Sequence, residues 1–168
     1  MPLRIALKAG EKIIVNGAVL QAADTPATLL VHNSAALLRE REIMTEERAV
    51  TPATRIYYTI QCAYLFPNKK DLYLQHFYGF LEEFVAASPS SEPLARKIRA
   101  EIEGERYYPA LRSARKLIER EQEILDAFGQ RLHQRLQPSA PAGQPTEHGS
   151  VGPDGSGPPH AGRQGRRR

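Results

Sequence analysis

Basic side chains on one predicted helical face are the residues of this sequence whose types and spacing best fit a specific chemistry. At 100° per residue these positions fall within about 140° of one another and lie opposite an apolar face. They are Arg112, Arg115, Lys116 and Arg120, and we call them the basic stripe. Arginine and lysine bind phosphates and release the counterions that surround a nucleic acid. The stripe therefore makes RNA a candidate ligand.

Further basic and aromatic residues extend this candidate set. Basic candidates on other predicted helices are Arg55, Arg96, Lys97 and Arg99. Unpaired bases stack on aromatic rings, so adjacent tyrosines near basic residues are candidates as well. The tyrosine candidates are Tyr57, Tyr58, Tyr107 and Tyr108.

Two structural interpretations compete with RNA binding. Glu119 and Glu123 lie within the basic stripe, so a solvated face with ion pairs one turn apart explains most of the pattern. Adjacent tyrosines at a helix start are commonly one core residue and one boundary residue. From the residues alone, a protein-binding helical module is the stronger interpretation.

Catalysis and metal binding have little support in the sequence. The five histidines are scattered, and the single cysteine, Cys62, leaves no Cys-rich metal site. Cys62 has apolar neighbours in a predicted helix, which favours a small buried side chain over a nucleophile. Gly10-Glu11-Lys12 lacks the preceding glycine of a phosphate loop. We therefore expect no enzyme activity, no metal and no cofactor.

Length and composition indicate one globular domain followed by a tail. The chain has 168 residues, 41% of them hydrophobic, and a formal net charge of +4. It has no apolar run long enough to cross a membrane and no signal peptide at its start, so we expect a cytoplasmic protein. Residues 138–168 hold 6 of the 13 prolines and 7 of the 12 glycines. This composition predicts a disordered Pro/Gly/Arg-rich tail after a domain over residues 1–137.

Residues 1–50 are predicted to be mainly β. Apolar and polar residues alternate over 3–7, as in a half-buried strand. The dipeptide Asn16-Gly17 joins two apolar runs and is typical of a type I′ hairpin turn. Residues 28–32 form a further apolar run, and residues 35–40 are assigned to another strand.

Residues 51–137 are predicted to be helical. Thr51 and Pro52 form a good N-cap and first helical residue. Helices are expected from 52 to before Pro67, from about 68 to 87, from about 93 to Gly104 and from about 106 to 136. In the last helix, apolar residues at three-four spacing suit packing across a bundle or pairing with a second chain. The predicted fold is α+β, a small antiparallel N-terminal β-sheet followed by a bundle of about four helices.

Short segments in an ordered spacing carry a family resemblance over residues 1 to about 126. They are Pro2-Leu3-Arg4-Ile5, Leu7-Lys8-Ala9-Gly10-Glu11-Lys12, Val15-Asn16-Gly17-Ala18-Val19, Leu37-Leu38-Arg39-Glu40, Ile43-Met44, Thr51-Pro52-Ala53, Arg55-Ile56-Tyr57, Tyr107-Tyr108-Pro109-Ala110-Leu111, Arg115-Lys116-Leu117-Ile118 and Glu121. In these segments the sequence resembles the FlbT family of flagellar biosynthesis regulators of alphaproteobacteria. The proline-rich tail departs from the family pattern.

The resemblance implies a post-transcriptional repressor of flagellum biogenesis. Such a protein associates with the 5′ untranslated region of flagellin mRNA, the leader, and promotes degradation of that mRNA. An alternative is a protein-interaction module that binds the small partner FlaF or a flagellin and associates with RNA only indirectly. A homo-oligomer is compatible with both.

Overall fold

The computed structural model describes residues 1–136, in which five strands precede four helices. The strands are β1 (Leu3–Leu7), β2 (Lys12–Val15), β3 (Ala18–Gln21), β4 (Ala27–Val31) and β5 (Leu37–Arg39). The helices are α1 (Pro52–Leu65), α2 (Lys70–Ala87), α3 (Glu92–Glu103) and α4 (Tyr107–Leu136). The predicted α+β class is confirmed. The predicted tail, residues 138–168, lies outside the described residues.

The five strands form two small antiparallel sheets, a division that the sequence pattern does not predict. One sheet pairs β1 with β4, and Ile5 lies opposite Leu29. The other has the order β3-β2-β5, with Ile14 opposite Val19 on one side and Leu38 on the other. Ile5, Leu7, Ile13 and Ala22 form a small buried cluster that joins the two sheets.

The predicted hairpin between β2 and β3 is confirmed. Its turn residues Asn16 and Gly17 have φ angles of 47° and 84°, the positive values that a type I′ turn requires. Asn16 also ties this turn to the segment before β5. Its N–H donates to the Ala36 carbonyl at 2.8 Å, and its Oδ1 accepts the Ala36 N–H at 2.8 Å.

The main core lies among the helices and extends to β5. Helix α1 begins as predicted, with the Thr51 hydroxyl accepting the Thr54 N–H at 3.3 Å. It packs against α2 and α4, and α3 packs against α4. The largest fully buried side chains of this core are Leu38, Ile56, Ile60, Phe77, Leu81, Ile98 and Leu117. Burial of Leu38 fixes β5, and the residues that follow it, beside the helices.

Helix α3 ends at a turn whose left-handed residue is Glu105. The Arg106 N–H donates to the Glu101 carbonyl at 2.8 Å, and the Glu105 N–H donates to the Ile102 carbonyl at 2.9 Å, which is a Schellman motif. Gly104 is the C-cap of this helix, as the sequence predicted, but it has an ordinary φ of −82°. Glu105 takes the positive φ of 55° instead.

Replacing Glu105→Gly is expected to raise the melting temperature by a few degrees. Glycine removes the Cβ that makes this left-handed conformation costly. The lost ion pair with Lys70, whose Nζ lies 2.7 Å from the Glu105 carboxylate, is exposed and contributes little. Thermal unfolding followed by circular dichroism measures the effect. Glu105→Ala is the control, because it loses the same carboxylate but keeps the Cβ and should give no gain.

Helix α4 is packed along its first half and exposed along its second. Its buried residues end at Leu117. Beyond that point, the side chains that continue the apolar spacing are largely exposed. They are Leu125, Phe128, Leu132 and Leu136, and we call them the distal apolar stripe. Among the described residues the stripe has no packing partner, so the spacing serves the core only in the first half of the helix.

Candidate nucleic-acid interface

A groove between α4 and the segment after β5 collects most of the basic stripe. It has a volume of about 550 Å³. Its lining residues are Leu38, Arg41, Glu42, Tyr57, Tyr108, Leu111, Arg112, Arg115, Lys116 and Glu119, and we call it the basic groove. Leu38 and Leu111 are buried, so the groove has an apolar floor. Its rim is charged.

Two structural elements supply the cationic side chains of the basic groove. Helix α4 presents Arg112, Arg115 and Lys116, which lie one turn apart on its exposed side. A short 3-10 turn, Glu40–Glu42, follows β5 directly and brings Arg41 to the opposite wall. Because buried Leu38 anchors β5, the position of Arg41 depends on packing and not on local sequence.

Glu42 holds the two walls of the basic groove together. Its carboxylate accepts the Arg39 N–H at 3.0 Å and the Tyr108 hydroxyl at 2.7 Å. Its carbonyl oxygen accepts the Tyr57 hydroxyl at 2.6 Å. The residues joined in this way belong to β5, α1 and α4. The network therefore sets the distance between Arg41 and the cations of α4.

Tyr57 forms part of the floor of the basic groove. It is 3% exposed, and burial raises the pKa of its hydroxyl. The Arg115 guanidinium lies 5.7 Å from the centre of its ring, within reach of a cation–π interaction. Arg115 Nη2 also lies 3.3 Å from the Arg41 carbonyl and 3.4 Å from the Tyr57 hydroxyl. A base cannot stack on this ring in the observed conformation, because Arg115 already covers it.

Tyr108 is the aromatic residue that the basic groove offers to a ligand. It is 40% exposed. Its hydrogen bond to Glu42 raises the pKa of its hydroxyl. The bond also restrains the ring. A restrained, exposed ring beside cations has the character of a stacking platform.

A smaller recess adjoins the basic groove on the side of α3. It has a volume of about 280 Å³. Its lining residues are Lys97, Glu101, Tyr108, Pro109, Arg112, Ser113 and Lys116, and we call it the Glu101 recess. It shares Tyr108, Arg112 and Lys116 with the basic groove. A ligand chain that follows the groove can therefore place one group in the recess.

The basic groove has an excess of positive charge. It contains Arg41, Arg112, Arg115 and Lys116 against the carboxylates of Glu42 and Glu119. In the part of the chain that the structure describes, none of these four cations forms an ion pair. Unpaired cations around an apolar floor focus the field on an anionic ligand. This arrangement suits a phosphate backbone.

Comparisons with known proteins give the family of the chain. Residues 3–125 match the family model described as flagellar protein FlbT. The chain belongs to the FlbT family. The family match includes every residue of the basic groove and of the Glu101 recess. It ends at residue 125, within the exposed second half of α4.

The chain is similar to named members of the FlbT family over most of their length. The chain is 41% identical over 128 residues to a protein from Rhodopseudomonas palustris strain TIE-1 named probable flagellum biosynthesis repressor protein FlbT, covering 74% of this chain and 98% of the relative. It is 38% identical over 127 residues to the flagellum biosynthesis repressor protein FlbT of Caulobacter vibrioides strain CB 15, covering 74% of this chain and 90% of the relative. No solved structure gives a significant match.

The other basic candidates of this FlbT chain lie outside both cavities. Arg55 stacks over the Phe80 ring, 5.9 Å from its centre, at the contact between α1 and α2. Arg96 pairs with Glu92 at 3.7 Å. Arg120 pairs with Glu123 at 3.7 Å and lies 3.4 Å from the Ser90 hydroxyl. Arg96 and Arg120 thus form ion pairs about one helical turn apart, as the solvated-face interpretation expects.

Arg99, Tyr58 and Tyr107 are partly buried elsewhere in this FlbT fold. The Arg99 Nε is buried and donates no hydrogen bond within the described residues. Burial raises the pKa of the Tyr58 hydroxyl to about 12, with the Cys62 thiol beside it. Tyr107 stacks on Tyr64 with 6.3 Å between ring centres. The two tyrosine pairs therefore contribute Tyr57 and Tyr108 to the basic groove, and the other two rings to packing.

The structure adds one cation that the sequence analysis of this FlbT chain missed. Arg41 stands between two glutamates, Glu40 and Glu42. This pattern is typical of a solvated turn with balanced charge, so the sequence did not indicate Arg41 as a candidate. The approach of β5 to α4 could not be deduced from periodicity. Within residues 1–136, no helix is long and apolar enough to cross a membrane. The same residues contain no group of His, Cys, Asp or Glu side chains that could hold a metal ion.

Proposed function

We propose that this protein is a repressor of flagellum biosynthesis that binds the 5′ untranslated region of flagellin mRNA and promotes degradation of that mRNA. The relatives' names support the repressor role. The observation that carries RNA binding is the basic groove, in which four cations without ion pairs lie beside exposed Tyr108.

The basic groove fits a single strand better than a set of isolated phosphates. Cations at both walls can neutralise successive phosphates, which fixes the register of the strand. An exposed ring between them allows a base to stack. In a folded leader such bases are found in loops and bulges, where they are free of pairing. The proposed ligand is therefore an unpaired segment of the leader.

Repression then follows from occupancy. A protein bound across an unpaired leader segment blocks ribosome access, and an untranslated mRNA is exposed to ribonucleases of the cell. The proposal assigns no cleavage to this chain. The role of the basic groove is to bind the leader and to distinguish it from other RNAs.

A titration of the purified full chain tests the proposal. The RNAs are a flagellin leader and a shuffled control, measured by fluorescence anisotropy at about 50 and 200 mM salt. Four neutralised phosphates on a single strand predict a slope of log affinity against log salt near −2.8. The leader should bind more tightly than its control at both salt concentrations. Equal affinity for the two RNAs, or binding that salt leaves unchanged, contradicts the proposal.

A second candidate function is that of a protein-interaction module, favoured by the distal apolar stripe. Phe128 and Leu136 are 66% and 73% exposed. Apolar anchors at helical spacing are typical of a helix that enters a groove of a partner. FlaF or a flagellin is the partner that the family resemblance suggests, with RNA association then being indirect.

Co-purification of the full chain with FlaF and with flagellin separates the two candidate functions. Phe128→Glu with Leu132→Glu should abolish the contact and leave RNA affinity intact, since both residues lie outside the basic groove. If the pure protein ignores the leader but binds it once a partner is added, the module function is supported.

A further inference from the structure

The Glu101 recess contains a buried carboxylate with unused hydrogen-bonding capacity. Glu101 is 7% exposed. Its Oε2 is buried and accepts no hydrogen bond from any described residue. A buried acceptor without a partner destabilises the protein, and a buried carboxylate does so more strongly than a neutral group. Such a group is therefore a candidate for pairing with a ligand.

The cations around Glu101 leave it unpaired. Lys97, Arg112 and Lys116 line the same recess, yet none forms an ion pair with Glu101 in the described part of the chain. These three side chains are exposed, so they are available to phosphates at the mouth. The recess thus combines an acceptor inside with positive charge outside.

The size and lining of the Glu101 recess indicate which class of ligand it can bind. Its volume of about 280 Å³ lies near the lower limit of small-molecule sites, which start at about 300 Å³. One side is the ring of Tyr108, which also borders the basic groove. The recess therefore suits one flat group attached to a phosphate chain, which is the description of a nucleobase in a single strand.

Hydrogen-bond chemistry selects among the four bases. An ionised carboxylate accepts hydrogen bonds and donates none. Guanine presents two N–H donors side by side, N1–H and N2–H₂, that match the two oxygens of a carboxylate. Adenine and cytosine each present one amino group next to an acceptor nitrogen. Uracil presents a single N–H between two carbonyl oxygens that a carboxylate repels.

We propose that the Glu101 recess binds an unpaired guanine of the RNA and that the Glu101 side chain turns on binding, so that both of its oxygens face the base and accept from N1–H and N2–H₂. This inference rests on the proposed RNA-binding function, which it extends from phosphate attraction to base recognition. Tyr108 supplies the stacking surface, and Lys97, Arg112 and Lys116 hold the adjoining phosphates. Glu101 is the specificity-determining residue.

Removal of the guanine amino group tests the inference on the unmodified protein. The probes are a short unstructured fragment of the leader and the same fragment with inosine in place of guanine. Inosine keeps N1–H and lacks N2–H₂. Loss of half of a bidentate contact predicts about tenfold weaker binding of the inosine fragment to the full chain. This arm needs no variant and is independent of any folding defect.

Glu101→Gln supplies the second arm. The amide has the shape of the carboxylate but one acceptor fewer, so the guanine fragment should bind about tenfold more weakly to the variant. The preference for guanine over inosine should shrink towards one. Lys116→Gln is the matched control, because it removes a phosphate contact and should weaken both fragments equally. Circular dichroism confirms that each variant is folded.

Each outcome separates the two proposals. If the leader binds in a salt-dependent way but neither inosine nor Glu101→Gln changes affinity, guanine recognition is overturned and the proposed function stands. If neither fragment binds to the unmodified chain at low salt, both proposals fall. If Glu101→Gln weakens guanine and inosine fragments by the same factor, Glu101 acts on the fold of the groove and not on the base.

Discussion

Arg112→Glu combined with Lys116→Glu is expected to reduce the affinity for the flagellin leader at least about 100-fold at low salt. Both residues line the basic groove and the Glu101 recess. Reversal of both charges removes two phosphate contacts and adds two repulsive ones. The slope of log affinity against log salt should become shallower, from near −2.8 to near −1.4, because only two neutralised phosphates remain. Anisotropy titrations at several salt concentrations measure both quantities.

The fold should survive this double reversal. Both side chains are exposed on α4, and surface substitutions away from specific contacts change stability by roughly 0.5 kcal/mol or less. The matched control is Arg131→Glu with Arg135→Glu, which makes the same change in net charge on the exposed second half of the same helix. Equal loss of affinity in the two variants would mean that total charge, and not the basic groove, attracts the RNA.

Elements with a local chemical cause were predictable from the sequence. Asn16-Gly17 specifies its turn because few other residues accept two positive φ angles. Thr51-Pro52 specifies the start of α1 because its hydroxyl and ring suit the first helical turn. In both cases the deciding interactions span only a few residues, and the structure reproduces them.

The assembly of the candidate site was not predictable, because it depends on contacts between distant segments. Arg41 and Arg115 are far apart in sequence, yet Arg115 Nη2 lies 3.3 Å from the Arg41 carbonyl. That approach follows from burial of Leu38 against the helices, which no periodicity encodes. Arg55 is the converse case. Its side-chain type fits a phosphate ligand, but its guanidinium lies over the Phe80 ring and outside both cavities.

The unpaired Glu101 carboxylate is a further property that sequence alone conceals. In the sequence it is one of several glutamates on an amphipathic helix, and such residues are normally solvated. Its neighbours at helical spacing include Lys97, which suggests an ordinary ion pair one turn apart. Only packing of α3 against α4 buries the carboxylate and leaves it without that pair.

Gly17→Val is expected to destabilise the protein by about 2–4 kcal/mol. Gly17 has a φ of +84°, which a β-branched residue adopts only with strain. A Cβ there would also lie 3.1 Å from Phe66 Cε1 and 3.3 Å from the Leu65 carbonyl oxygen. Overpacking adds to the backbone strain, since the carbonyl belongs to the end of α1 and has little freedom to move. Urea unfolding at equilibrium measures the loss.

Gly10→Val separates the two causes of this destabilisation. Gly10 has a similar φ of +75°, but a Cβ there meets nothing within 4 Å, so its valine variant should show the strain alone and lose about 1–2 kcal/mol. The excess loss in Gly17→Val then measures the contact between the hairpin and the end of α1. If the two variants lose equal stability, that contact is absent in solution. The hairpin would then be held beside the helices by the pairing of β2 with β5, whose Leu38 is buried in the helical core.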